Sequence, residues 1–162
     1  MNLSDIESLD LEARAHSEHA HALRLWLRLL TCSQLIEKRV RAGLREHFDT
    51  TLPRFDLMAQ LERHPEGLKM KELSHRLMVT GGNVTGITDQ LVAEGLVERV
   101  GVDGDRRAFR VRLTPQVQAA FAAMAEQHEH WIVEAFEGLS PRELEQLHKL
   151  LGKVKQHQKV FE

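Results

Sequence analysis

Hydrophobic positions recur with helical spacing over most of the chain, and the clearest case follows Thr80. Val84, Ile87 and Leu91 fall on one side of a helix, so this segment is predicted to pack one side inward. Thr80 has a side chain suited to capping the start of the helix, and Gly95 is suited to ending it. We therefore predict a helix between Thr80 and Gly95.

The outward side of this helix carries short and polar residues. Two glycines in its first turn cost roughly 1 kcal/mol each relative to alanine, which indicates that close approach to a partner outweighs helix propensity. Phosphate is a natural partner, because free N–H groups and the positive end of the helix dipole meet it there. A plain polar face is the alternative. The candidate DNA contacts on this helix are Thr80, Gly81, Gly82, Asn83, Thr85 and Gln90.

After this helix, hydrophobic residues occur at every second position instead of at helical spacing. Residues 96–100 and 108–113 alternate around a turn rich in Gly and Asp, which predicts a β-hairpin. From Arg99 to Arg112 there are five arginines and two aspartates, a net charge of about +3. A helix with a small polar face followed by a basic hairpin is the arrangement of a winged helix-turn-helix. The candidate DNA contacts on the hairpin, for which a solvated tip with a local ion pair is the alternative, are Asp105, Arg106 and Arg107.

The rest of the chain is predicted to be mainly helical. The first helix is long, from about Glu12 to Glu46, because this stretch has no proline and its first glycine is Gly43. The other helices are predicted to start at the cap Thr51, to span residues 71–77, to run from Pro115 to about Glu137, and to start at the capping box Ser140-Pro141-Arg142-Glu143.

The terminal helices hold more apolar surface than the central residues can cover. The first helix is apolar around much of its girth, and Leu144, Leu147, Leu151 and Val154 form a stripe on the last helix. A second copy of the chain is the simplest cover, which predicts an isologous homodimer with two DNA-reading helices about 34 Å apart. The predicted fold is mainly α with a small β-wing. Its units are residues 1–48 (arm and dimerisation helix), 49–114 (winged helix-turn-helix) and 115–162 (dimerisation helices).

Composition narrows the class of protein. A net charge of −2 and a pI of about 6.6 argue against indiscriminate coating of nucleic acid, although a specific binder needs only a local basic patch. We expect no signal peptide and no membrane span, and the single Cys32 suggests a reducing compartment, so a cytoplasmic protein is predicted. No catalytic motif is present, and we predict neither an enzyme nor a cofactor.

Three segments together resemble the MarR family of transcriptional regulators: Gly81-Gly82-Asn83-Val84-Thr85-Gly86, Asp105-Arg106-Arg107 and Val111-Arg112-Leu113-Thr114. The resemblance covers about residues 20–160, with Val117 where many members have glycine. It implies an obligate dimer that binds a pseudo-palindromic operator, usually represses, and is released by a small anionic or aromatic ligand or by an oxidant. It also implies that Arg106 or Arg107 enters the minor groove and that Asp105 holds it.

Two segments, residues 51–56 and 78–85, also look similar to members that control aromatic-acid catabolism, some of which sense the CoA thioester. An effector pocket is expected where the first, second and fifth helices meet, with Arg54 as the cation for a carboxylate or phosphate. The alternative is that the candidate effector-binding residues listed next, except Arg54, are core residues. The candidate effector-binding residues are Trp26, Leu30, Arg54, Phe55, Met58 and Trp131.

Other sensing chemistries are open alternatives. Cys32 could react with peroxide, but the chain has no tyrosine, which the peroxide sensors of the family use, and a buried structural thiol is favoured. Ten histidines, with His16 and His19 at helical spacing, would suit a zinc-responsive regulator, although solvated or core histidines are more usual and no metal site is predicted. A winged-helix module that binds only protein is the alternative from another class.

Overall fold

The computed structural model describes residues 20–77, 83–102 and 105–159. Within these residues the protein is mainly helical with one small antiparallel sheet, as predicted. The candidate residues Thr80, Gly81, Gly82, His16 and His19 lie outside the described residues. The helices are α1 (Ala20–Phe48), α2 (Leu52–Glu62), α3 (Met70–Arg76), α4 (Val84–Ala93), α5 (Pro115–Ala135) and α6 (Pro141–Gln158), and the strands are β1 (Leu68–Lys69), β2 (Val97–Val102) and β3 (Asp105–Leu113).

The sheet has the order β1-β3-β2 and contains the predicted hairpin. β2 and β3 pair from Val97 opposite Leu113 to Val102 opposite Asp105, with an irregularity near the tip. β1 pairs with the other edge of β3. Gly67 turns the chain into β1 with φ +86°, and a Cβ on it would lie 2.9 Å from the Val111 carbonyl oxygen, so this turn requires glycine.

The core lies between the winged helix-turn-helix elements and α5. Leu73 of α3, Leu91 of α4 and Val111 of β3 are fully buried, so the two helices of the helix-turn-helix and the hairpin share one interior. Phe121 of α5 closes this interior and stacks on Phe55 of α2, with ring centroids 5.5 Å apart. The middle segment and the fifth helix are therefore one packed unit.

The terminal helices have large uncovered apolar surfaces. In α1 only Val40 and Leu44 are buried, whereas Trp26 is 55% exposed. α6 has no buried residue, although it starts at the predicted capping box, in which the Ser140 side chain accepts a hydrogen bond from the Glu143 N–H. The large apolar residues exposed on these two helices are Leu23, Leu25, Trp26, Leu144, Leu150, Leu151 and Val154.

Two local predictions are corrected. Cys32 is exposed on the single chain and is not the buried thiol that the sequence favours, because it lies on the outward side of α1. Thr51 does occupy the N-cap of α2, with proline in the first turn, but its side chain makes no capping hydrogen bond.

Gly43 is predicted to be essential for the contact between α1 and α5. A Cβ at this position would lie 2.5 Å from the Trp131 ring, and Trp131 is buried. We expect Gly43→Ala to lower the free energy of unfolding by about 1–3 kcal/mol, because overpacking outweighs the gain in helix propensity. Urea unfolding measures this. Gly152→Ala on α6, where a Cβ meets nothing within 4 Å, is the matched control and should not destabilise; equal effects of the two would refute the packing argument.

Candidate nucleic-acid interface

The start of α4 is set by Asn83. Its backbone is left-handed (φ 43°, ψ 45°), which asparagine tolerates better than most residues, and its side-chain oxygen accepts a hydrogen bond from the Gly86 N–H at 2.8 Å. A Cβ on Gly86 would collide with the Asn83 side chain. The prediction that Thr80 caps this helix is therefore wrong. The helix begins later, because Asn83 supplies both the backbone conformation and the capping oxygen.

The two sides of α4 have different environments. Thr88 and Leu91 are fully buried, and the Thr88 hydroxyl donates to the Val84 carbonyl at 2.7 Å, which removes the cost of burying it. The opposite side is open to solvent. Of the predicted DNA contacts in the described residues, Asn83, Thr85 and Gln90 are all exposed on α4.

An acidic residue, Asp89, shares the exposed side of α4 and is not among the predicted site residues. It forms an ion pair with Arg99 of β2, and the Arg99 guanidinium also lies 5.2 Å from the centre of the Phe109 ring. The pair joins the DNA-reading helix to the hairpin. The sequence analysis missed this ion pair, because nothing in the local pattern shows that an Asp of the helix faces an Arg ten residues later.

The charge of the hairpin is partly neutralised inside the protein. Besides Arg99, Arg112 pairs with Glu98 at 2.7 Å and Arg110 donates to the Gly67 carbonyl at 2.9 Å. Two of the five arginines counted in the sequence are therefore paired with carboxylates, so the count of about +3 overstates the charge available to a partner, whereas the Arg110 hydrogen bond to a carbonyl leaves its charge unchanged.

The remaining two arginines begin β3 beside Asp105. The backbone of Asp105, Arg106 and Arg107 forms the tip end of the strand, with Asp105 opposite Val102. This places the three residues at the far end of the hairpin from the core, as the sequence predicts for a wing. Their side chains lie outside the described part of the structure.

A cavity of about 520 Å³ opens between α2, the end of α3 and α5. His128 contributes aromatic surface to it and lies 4.6 Å from the Phe55 ring, while Phe55 and Phe121 are buried behind the wall, 4% and 0% exposed. Arg63 and Arg76 are basic residues on its wall.

The six predicted effector residues do not form one site. Phe55 alone lines this cavity, since Met58 lies in the core and Trp131 packs against Gly43. Trp26 is exposed and Leu30 is partly buried on α1, and neither lines the cavity. Arg54 is bound by Glu94, so the cation expected for a ligand already has a carboxylate partner.

Two titratable groups of the cavity are perturbed by burial. Burial lowers the pKa of His128, which favours the neutral ring. Burial also raises the pKa of Asp56 to about 6; Arg41 opposes this shift and Glu37 adds to it. The Asp56 Oδ2 is buried without a hydrogen-bond partner among the described residues. Residues 20–77, 83–102 and 105–159 contain no group of three or more His, Cys, Asp or Glu side chains placed to hold a metal.

Sequence and structure comparisons place this architecture among known proteins. A sequence model of the MarR family matches residues 48–108. The crystal structure of a MarR family transcriptional regulator from Silicibacter pomeroyi superposes with a TM-score of 0.75 at 29% identity, over 88% of this chain and 99% of that one. The chain is therefore similar to MarR family regulators in sequence over residues 48–108 and in fold over most of its length.

Two further MarR-type relatives extend the similarity. A mutant MarR from E. coli, in a crystal structure with operator DNA, is 26% identical, with a TM-score of 0.70, over 86% of this chain and 99% of that chain. The HTH-type transcriptional regulator PecS of Dickeya dadantii is 29% identical over 64% of this chain, and the match spans 63% of PecS, less than two thirds of its length.

These similarities support the resemblance that the sequence motifs indicate. The relatives are described as transcriptional regulators, and one of them is bound to operator DNA, in agreement with the predicted class of protein. In the described residues, no helix combines the length and hydrophobicity needed to cross a lipid bilayer.

Asp56 is predicted to make stability fall as the pH rises. Because its pKa is raised in the folded chain, ionisation costs stability progressively from about pH 4 to about pH 6, and the full cost remains above this range. We expect Asp56→Asn to remove the cost and to be more stable than wild type by about 1 kcal/mol near pH 8, after allowance for partial exposure. The difference should shrink towards pH 4.

Urea unfolding at several pH values measures this difference. Glu66→Gln, at an exposed carboxylate in the turn before β1, is the control and should leave the pH dependence unchanged. A constant difference between Asp56→Asn and wild type across the range would show that Asp56 is not the group responsible.

Proposed function

We propose that this protein is a dimeric, sequence-specific transcription regulator that acts in the cytoplasm. It binds a pseudo-palindromic operator, represses, and is released by a small anionic or aromatic ligand. The proposal rests on how α4 packs against the rest of the protein. One side is buried through Thr88 and Leu91, while Asn83, Thr85 and Gln90 face outward beside the arginine-rich hairpin.

In this proposal α4 enters the major groove and the hairpin lies on the adjacent minor groove. Thr85 and Gln90 are placed to hydrogen-bond base edges, and the backbone of Gly81, Gly82 and the helix start approaches phosphate. Thr80 and Asn83 are the other two proposed DNA contacts of this segment. Arg106 or Arg107 enters the minor groove, where Asp105 orients it.

The dimer in this proposal is built from the terminal helices. Residues 1–48 and 115–162 supply the interface, and residues 49–114 bind DNA. The support is the apolar surface left open on α1 and α6, including Trp26, Leu150 and Val154, each at least half exposed. Apolar patches of this kind mark interaction surfaces, and a second copy supplies the same residues on its own helices.

The ligand site proposed here is the cavity between α2, α3 and α5. The partly exposed His128 ring in its wall suits contact with an aromatic ligand, and Arg63 and Arg76 replace Arg54 as the cations for a carboxylate. An aromatic carboxylate fits this chemistry, and its CoA thioester would add phosphates for the same arginines. Because the wall joins α2 and α3 to α5, a ligand there can change how the DNA-binding part sits on the terminal helices.

Substitution of the wing arginines tests the proposed DNA binding. Fragments of the source genome retained by the wild-type protein would provide the probe. We expect Arg106→Ala/Arg107→Ala to weaken retention of the best fragment by at least tenfold, since one groove contact contributes about 1–3 kcal/mol. Arg41→Ala/Arg45→Ala on α1 removes the same charge away from the wing and should have a smaller effect. Sedimentation should show an intact dimer in both variants.

Unchanged retention by the wing variant would refute the wing assignment. Retention of no genomic fragment by the wild-type protein, even at low salt, would refute the proposed function itself.

The ligand proposal predicts which residues control release. Benzoate and benzoyl-CoA are the probes, added to the complex of wild type with its best fragment. If either releases the DNA, Arg63→Gln/Arg76→Gln should raise the concentration for half-release about tenfold, because two charge-assisted hydrogen bonds are lost. Arg45→Gln on α1 is the control. Equal potency on the double variant and on wild type would exclude the cavity as the site for these probes.

A further inference from the structure

The C-terminal end of α4 is tied to α2 by one bidentate ion pair. Arg54 donates from Nη1 to the Glu94 Oε1 at 2.8 Å, and its Nη2 pairs with Oε2. Glu94 is the C-cap of α4, and Arg54 is the third residue of α2. The Arg54 side chain is only 18% exposed, whereas Arg99 and Arg112 are 41% and 42% exposed in their ion pairs. The arginine of this pair is therefore better shielded from solvent than the arginines of the two hairpin pairs, whereas Glu94 is 47% exposed.

Both residues lie at the helix end that disfavours their charge. Arg54 places a cation in the first turn of α2, near the positive end of the dipole, and Glu94 places an anion at the negative end of α4. Neither choice stabilises its own helix. Only the contact between the two helices compensates both, and the hydrogen bond to Arg54 holds the pKa of Glu94 below its usual range. Because each charge is unfavourable for its own helix and is compensated only by the other, the pair points to a role beyond the stability of either helix.

We propose that Arg54 and Glu94 are positioning residues that set the orientation of α4 against α2 for DNA binding. The inference rests on the proposed function and deepens it. The next two residues of α2, Phe55 and Asp56, line the cavity, so the first turn of α2 contacts both the cavity and the DNA-reading helix. A displacement of this turn at the cavity is transmitted to α4 through the ion pair.

A direct role for Arg54 in DNA binding fits the geometry less well. Both of its Nη atoms are occupied by Glu94, and its Nε is buried without a partner in the described residues. A phosphate at the N–H groups that remain would lie beside the Glu94 carboxylate, whose negative charge repels it. The two roles predict opposite results for Glu94→Gln. Loss of a positioning residue weakens DNA binding, whereas release of a phosphate-binding arginine strengthens it.

The test compares Glu94→Gln with Glu37→Gln. Glu37 pairs with Arg41 within α1, where its Oε1 accepts from the Arg41 Nε at 2.8 Å, so the two substitutions remove the same charge from an arginine pair, but only Glu94 joins two helices. Loss of a negative charge alone favours DNA binding. On a duplex selected with the wild-type protein, we expect Glu94→Gln to weaken affinity about fivefold, the equivalent of about 1 kcal/mol, and Glu37→Gln not to weaken it.

The exchanged pair provides the rescue. Arg54→Glu/Glu94→Arg restores the contact and places each charge at its favoured helix end, so it should recover most of the affinity lost in either single variant. The slope of log affinity against log salt should match the wild-type slope in Arg54→Gln, whereas loss of a phosphate contact would reduce it by about 0.9.

Amide hydrogen exchange gives a readout that needs no DNA. In Glu94→Gln, the amides in the last turn of α4 should exchange faster than in wild type, with the global unfolding midpoint nearly unchanged and the exchanged pair restoring protection. Equal affinity and equal exchange in Glu94→Gln and Glu37→Gln would overturn the inference, as would a failed rescue. If the wild-type protein selects no duplex, the proposed function fails, and hydrogen exchange alone decides whether the pair positions α4.

Discussion

The burial of one side of α4 is the constraint on which the rest of the structure depends. Leu91 and Thr88 are fully buried, so the helix cannot rotate without exposing the apolar Leu91 side chain to water. That fixed rotation decides which residues face outward. The ion pairs of Asp89 with Arg99 and of Glu94 with Arg54 then tie the helix to the hairpin on one side and to α2 on the other.

The remainder of the chain serves to place this unit. α5 contributes Phe121 to the core and also bounds the cavity, so it links the central segment to the terminal helices. α1 and α6 leave large apolar side chains uncovered, and in the proposed dimer these would hold two copies of α4 at a fixed separation. The cavity lies between the elements that would have to move for that separation to change.

Local signals carry much of the fold. Apolar spacing identifies α4, alternation identifies the hairpin, and the Ser140 capping box identifies the start of α6, because each depends on residues close together in the chain. Long-range pairings leave no such signal. Arg54 meets a carboxylate 40 residues away, and the sequence alone presents it as a free cation. The cavity likewise depends on how α2 and α5 cross, which periodicity cannot show, and the choice of Asn83 over Thr80 as cap depends on a left-handed backbone.

A hydroxyl-radical footprint of the wild-type protein on the duplex that it selects measures whether two α4 helices contact the DNA together, and at what separation. We expect two protected segments whose centres are one helical turn apart, about 34 Å or 10 base pairs, with further protection where each hairpin follows the minor groove. A single protected segment would contradict the paired arrangement of α4 helices, and the absence of any protection at low salt would contradict DNA binding by this surface.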